Sequence, residues 1–125
     1  MKFARIVFTV AAVYGFAILL PLYFLLGKVN RDTPPPVTHA ELYYGFVGLA
    51  VLWQAVFVLI ATDPIRYRPI MAIAILEKFI YTVPVVILYM QGQAHPKTLA
   101  PALVDPVFGI LFLVAYVKTR EAKSR

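Results

Sequence analysis

Three ionisable residues, Glu77, Lys78 and Asp105, stand inside long apolar segments of the chain, where a charge is normally excluded. An unpaired charge near the centre of a bilayer costs about 2.5–3.5 kcal/mol, so these side chains are expected to face the interior of a helix bundle and to pair there. They could grip the polar end of a ligand or carry a proton. They could equally be structural, as polar contacts that specify how the helices pack.

The preferred pairing joins Lys78 to Asp105, and Glu77 to Gln54 and Tyr14. Neighbouring residues differ by about 100° around a helix, so Glu77 and Lys78 are expected to be poorly placed for pairing with each other. A rise of ~1.5 Å per residue puts Tyr14, Gln54 and Glu77 at one depth, ~14 Å above the inner boundary. Asp105 comes out at ~20 Å, level with Tyr81 on the preceding helix. Which acid Lys78 prefers stays open.

Four apolar runs carry these residues, at 6–27, 41–62, 69–90 and 99–117. Each has about the 20 residues that a helix needs to cross ~30 Å of hydrocarbon, and only helices satisfy their backbone hydrogen bonds within one segment. Because 62% of the 125 residues are hydrophobic and 14% are charged, a soluble domain is excluded. The prediction is an all-α, integral membrane four-helix bundle, with residues 1–125 as a single domain. No A-x-A pattern follows the first run, so it is expected to stay as a helix and not to be cleaved as a signal peptide.

The basic residues predict the topology. With both termini in the cytoplasm, the inner side carries Lys2, Arg5, Arg66, Arg68, Lys118, Arg120, Lys123 and Arg125, and the outer side only Lys28, Arg31 and Lys97. This bias predicts antiparallel helices in a bacterial inner membrane with both ends cytoplasmic. The net charge of +6 therefore indicates contacts with anionic headgroups of the lipid bilayer and not with nucleic acid.

Prolines predict where the helices are interrupted. The outer loop 27–39 contains a triple proline and is expected to run extended. Pro69 suits the first turn of a helix. Pro84 is expected to kink the third helix and to free the carbonyl of Ile80, and such openings tend to line cavities in membrane proteins.

Glu41 opens the second run at its outer boundary, where a carboxylate suits a helix N-terminus. A capping or interfacial role is preferred for it, with a ligand contact left open. His39 and His95, both in outer loops, could approach Glu41 as a weak surface metal site, but no metal-ligand spacing supports one. Since the chain has no cysteine and no catalytic motif, neither a cofactor nor a catalytic residue is predicted.

Three stretches resemble a known group of proteins: ELYYGFVGLAVLWQ (41–54), RYRPIMAIAILEK (66–78) and DPVFGILFLVAYVKTR (105–120). They are similar to small four-helix bacterial inner-membrane proteins of the DoxX-like type. The resemblance implies accessory roles beside membrane oxidoreductases, and it carries no catalytic residue over. A second resemblance, to the EXPERA group, rests on Glu41 and on the spacing of Glu77 and Pro84. It implies an apolar ligand pocket, although the acidic residue expected in the first helix is missing between Arg5 and Lys28.

Three functions stay open. A stripe of small residues, Gly45, Gly48 and Ala55, favours close helix contact and thus a non-enzymatic accessory subunit of a membrane assembly or a homo-oligomer. The first alternative is a binding protein for an apolar small molecule (a quinone, sterol or lipid), with Glu77 and Asp105 at its polar end. A cavity of several hundred Å³ would favour that alternative. The second is a dimeric proton-coupled transporter with Glu77 as the titrating group.

Overall fold

The computed structural model describes residues 2–124, with side chains described over residues 2–120. Its elements are helical: α1 (Lys2–Leu19), a 3₁₀ turn (Leu20–Phe24), α2 (Leu26–Asp32), α3 (Ala40–Thr62), α4 (Arg68–Ile80), α5 (Thr82–Met90), a second 3₁₀ turn (Pro96–Thr98) and α6 (Leu99–Ser124). Four stretches are long and apolar enough to cross a membrane, and we call them the first to fourth spans: Lys2–Phe24, Ala40–Thr62, Arg68–Met90 and Pro96–Arg120. The predicted set of four apolar helices is confirmed, and the chain has the character of a multi-pass membrane protein.

The segment that was predicted to be the first outer loop is partly helical. Residues 27–39 were expected to be extended, but α2 occupies Leu26–Asp32. The triple proline restricts only itself and the residue before it, so a helix can continue up to Asp32. The Thr33 hydroxyl then donates to the carbonyl of Val29 at 2.7 Å, and the Val37 amide donates to Asn30 Oδ1 at 2.8 Å. These bonds tie the proline segment back to α2.

The first and the last helix of the chain are longer than their apolar runs. The first begins at Lys2 instead of residue 6, and α6 continues to Ser124 instead of ending at residue 117. Hydropathy marks the part of a helix that suits lipid, whereas the backbone hydrogen bonds continue through polar residues in water.

The third span is interrupted at Tyr81, between α4 and α5. Pro84 has no N–H to donate to the carbonyl of Ile80, so the helical ladder is broken one turn before the proline. The predicted disruption is therefore present. Pro69 lies in the first turn of α4, as expected.

The best-packed part of the interior is built from three aromatic rings and small side chains. Phe8 stacks on Phe112 with ring centroids 4.1 Å apart, and Phe57 meets Phe112 edge-on at 5.1 Å. Alanines let the helices approach around these rings, at Ala4, Ala11, Ala12, Ala74 and Ala115. This core comes from the first halves of α1 and of the third span and from the second halves of α3 and α6.

The predicted small-residue stripe on α3 is divided: Gly48 is half-buried, with the Tyr23 hydroxyl oxygen 3.2 Å from where a Cβ would lie, and the other two residues face outward. Gly45 and Ala55 are exposed, and a Cβ added at Gly45 would meet nothing within 4 Å. The close approach occurs instead at Gly15 of α1, where a Cβ would overlap the side chain of Gln54. Ala11 and Gly15 of α1 are both buried and lie on this contact face. The side of α3 that faces the interior carries Gln54 and Phe57. The positions of the small residues alone do not identify this side.

Candidate functional site

A cavity of about 220 Å³ lies between the four spans, in the half of the bundle that the aromatic core leaves free. Every span contributes to its wall, which is formed by Tyr14, Gly15, Ile18, Leu19, Leu22, Phe46, Ala50, Gln54, Glu77, Lys78, Tyr81, Pro101 and Asp105. Six of the seven predicted site residues are therefore brought together, and only Glu41 lies elsewhere. This volume lies below the range of about 300–1,000 Å³ that is common for small-molecule pockets.

Lys78 joins the two acids of the cluster. Its Nζ lies 3.7 Å from Asp105 Oδ1 and 3.7 Å from Glu77 Oε2. The predicted pairing of Lys78 with Asp105 is present. The expectation that Glu77 and Lys78 are poorly placed to pair is wrong, because it considered only the angle between their backbone positions. The lysine side chain is long and flexible enough to turn back towards its neighbour.

The lysine is more enclosed than its partners. The side chain of Lys78 is 5% exposed, against 18% for Glu77 and 20% for Asp105. Its Nζ also lies 4.8 Å from the ring centre of Phe57 and 5.7 Å from that of Phe108, which are cation–π distances. The ammonium group is thus covered by rings and acids. The side chains of Glu77 and Asp105 keep more open surface, although Glu77 Oε2 itself is buried.

Gln54 does not bond Glu77, contrary to prediction. Its Nε2 donates to the carbonyl of Ala50 within α3 at 2.9 Å, which leaves Oε1 against Gly15. Among the described residues, neither Gln54 Oε1 nor Glu77 Oε2 has a hydrogen-bond partner. Gln54 is only 2% exposed, so the wall contains a buried acceptor without a donor from the protein.

The two tyrosines of the cavity wall pack against other aromatic rings. Tyr14 packs against Phe108 with centroids 5.4 Å apart, and no hydrogen bond to Glu77 is found within residues 2–120. Tyr81 meets Phe46 at 5.7 Å, so these two rings join the second and third spans beside the interruption in the helix. Ile18 and Phe46 are both 46% exposed and thus mark the rim of the cavity.

Glu41 lies outside the cluster. It stands in the first turn of α3, where its Oε1 is 3.3 Å from Nδ1 of the neighbouring His39, and both side chains are exposed. His95 instead accepts a hydrogen bond from the Lys97 amide at 3.1 Å. Within the described residues, no group of three potential metal ligands is found.

Sequence reasoning missed several residues that position the cluster. A Cβ at Gly109 would lie 2.6 Å from Phe79, so this glycine lets α6 approach α4 beside Lys78. Thr82 donates to the Ala102 carbonyl at 2.6 Å and holds α5 against α6. Asp105, Gly109 and Phe112 are spaced by three and four residues and so share one helix face, a signal that could have found the glycine and the ring.

The chain matches no family model, and no curated protein or solved structure is significantly similar to it. The DoxX-like and EXPERA resemblances therefore stay expectations from the sequence. The chemistry of the site rests on its own geometry, which is a polar cluster of mixed charge at the wall of a partly apolar cavity.

Proposed function

We propose that the protein binds an amphiphilic small molecule drawn from the bilayer. The observation that carries this proposal is the cavity itself, since its wall combines the Glu77, Lys78 and Asp105 cluster with apolar side chains from all four spans. Binding sites for small molecules commonly have this composition, with a mostly apolar wall and a few convergent polar groups.

The size of the cavity limits what it can enclose. Pockets that enclose a drug-sized molecule commonly measure about 300–1,000 Å³, so a cavity of about 220 Å³ suits a polar head and a few carbons, and not a whole sterol or quinone. The remaining apolar part of the ligand would leave past Ile18 and Phe46 and lie along the helices among lipid chains. The rim is apolar, which favours entry from the bilayer over entry from water.

The topology proposed for this function is antiparallel, with both termini in the cytoplasm of a bacterial cell. Two contacts support the antiparallel order: Tyr43 donates to the Leu22 carbonyl at 2.7 Å, and Arg68 Nε donates to that of Tyr116 at 3.2 Å. Each joins the start of one span to the end of another. The basic residues at the chain ends and in the turn between the second and third spans support the orientation.

An accessory-subunit role is the second candidate. The observation in its favour is the outward-facing stripe on α3, where Gly45 and Ala55 are exposed and would admit a close partner helix or a second copy of the chain. A proton-coupled transporter is a weaker candidate. It needs a path for water to Glu77, and the cavity supplies space at the cluster without establishing such a path.

Native mass spectrometry of the protein, released gently from its own membrane, tests the proposal. We expect a bound small molecule in the wild-type sample that is lost in Glu77→Gln. The matched control is Glu41→Gln, which removes an exposed carboxylate away from the cavity and should keep the molecule. Co-purifying protein subunits that are unaffected by Glu77→Gln, with no small molecule, would instead favour the accessory role.

A further inference from the structure

We propose that the head group taken by the cavity is a cationic amine, bound by the open sides of Glu77 and Asp105. This inference rests on the proposed binding function and specifies the chemical class of its ligand. The cluster combines two carboxylates with one ammonium group, so its formal charge is −1 when all three side chains are ionised. A second positive charge, supplied by the ligand, would make the cluster neutral.

The exposure of the three side chains decides which charge a ligand meets. Lys78 keeps 5% of its side-chain surface, whereas Glu77 and Asp105 keep 18% and 20%. The rings of Phe57 and Phe108 cover the lysine on its other sides. A head group in the cavity therefore meets more surface of the two acidic side chains than of the lysine.

The hydrogen-bonding capacity of the wall points the same way. Gln54 uses its amide nitrogen on the Ala50 carbonyl, and its Oε1 has no donor among the described residues. Glu77 Oε2 also has no donor there, since Lys78 lies beyond hydrogen-bond distance at 3.7 Å. Both of these atoms are buried, so a ligand meets the remaining oxygens of Glu77 and Asp105, which only accept when ionised, and the side chains of Tyr14 and Tyr81, which can donate or accept. An ammonium group brings three donors and the missing charge together.

Four probes with the same tail test the inference: octylamine, octanol, methyl octyl ether and octanoate. Each is titrated calorimetrically into the full-length protein in nanodiscs of zwitterionic lipid, and the signal from empty nanodiscs is subtracted. We expect octylamine to bind at least about tenfold more tightly than octanol, because its bonds to the carboxylates are charge-assisted. Octanoate should bind most weakly.

Two isosteric variants show whether the acids cause this preference. Glu77→Gln and Asp105→Asn should each lower the affinity for octylamine by about tenfold while changing that for octanol little. Glu41→Gln should leave both affinities unchanged. The retained octanol affinity and an unchanged melting temperature show that the variants are folded.

The outcomes separate the two levels of the proposal. Binding of octanol, the ether or octanoate as tight as that of octylamine, and sensitive to Glu77→Gln, keeps the binding function and overturns the amine head. Octylamine binding that survives both variants overturns the assignment of Glu77 and Asp105. If no probe gives a binding signal larger than that of the empty nanodiscs, both the proposed function and the amine head group are overturned.

Discussion

At the scale of single residues, the centre of the molecule is the ammonium group of Lys78. Its nitrogen lies 3.7 Å from a carboxylate oxygen of Glu77 and 3.7 Å from one of Asp105. Lys78 as a whole is 4% exposed. Buried charges are tolerated when they are paired, and removing one partner leaves the others without compensation. The lysine thus makes it possible to keep two acids within the apolar interior.

Lys78→Met is expected to destabilise the protein by about 3 kcal/mol, because Glu77 and Asp105 would lose their shared counter-charge. Thermal unfolding in mild detergent measures this loss. The triple variant Glu77→Gln, Lys78→Met, Asp105→Asn should lose less than the single variant, since no charge then remains. A single variant as stable as the wild type, or as unstable as the triple one, would contradict the role of Lys78 as a counter-charge.

Gly15→Ala is expected to cost about 1–3 kcal/mol, because the new Cβ overlaps the buried side chain of Gln54. Shortening that side chain by Gln54→Ala in the same chain should restore part of the stability, and the double-mutant cycle measures the coupling. Gly45→Ala is the control, since its Cβ meets nothing within 4 Å. Equal effects of the two glycine variants would show that α1 and α3 do not meet at Gly15.

At the scale of elements, the interruption at Tyr81 divides the third span into two helices, α4 and α5, which contact α6 in different ways. Upstream, α4 carries Glu77 and Lys78 and packs against α6 through Gly109. Downstream, α5 is attached to α6 by the Thr82 hydroxyl. Because Tyr81 lines the cavity, the break in the helix lies at the site itself.

Thr82→Val should destabilise the protein by about 1 kcal/mol and loosen α5 selectively, because it removes the 2.6 Å bond to the Ala102 carbonyl while keeping the shape of the side chain. Faster amide exchange over residues 82–90, with exchange over 68–80 unchanged, is the expected readout. Thr62→Val serves as the control, since the Thr62 hydroxyl bonds only within its own helix, to Leu59. Uniform acceleration along the third span would show that α4 and α5 open as one unit.

At the scale of the whole molecule, the bundle has two unlike halves. The half with Phe8, Phe57 and Phe112 is filled by stacked rings and alanines. The other half encloses the cavity, with the polar cluster between the two. The packed half holds the helices in place, so the acids keep their positions although the cavity beside them is not filled by side chains.

The proposed topology makes a prediction that suits this chain, because it contains no cysteine and each introduced one is unique. Lys97→Cys should react with a membrane-impermeant maleimide in intact spheroplasts, whereas Arg66→Cys should react only after the membrane is opened. Both positions are exposed, so a difference reports their side of the membrane. The reverse pattern would invert the orientation, and labelling of both in intact spheroplasts would show that the third span does not cross the membrane.

The extent of the spans and the breaks between them follow from local properties of the chain. Apolar runs of about 20 residues and the backbone chemistry of Pro69 and Pro84 each act within one segment, so the four spans and the disruption near Pro84 could be predicted. The same local view missed α2, because the restriction imposed by a proline reaches back by only one residue. It also could not tell that Gly45 and Ala55 face outward while Gly15 meets Gln54.

By itself, the sequence determined that four helices suit a membrane and that Glu77, Lys78 and Asp105 must lie inside it, because hydropathy and the cost of a buried charge depend on residue type alone. Only the tertiary structure decided that Lys78 meets both acids, that Gln54 rests on Gly15 and that a cavity opens beside them. These contacts depend on how far each helix is rotated about its axis and on the reach of long side chains. Packing between spans sets both, and no single segment of the chain contains that information.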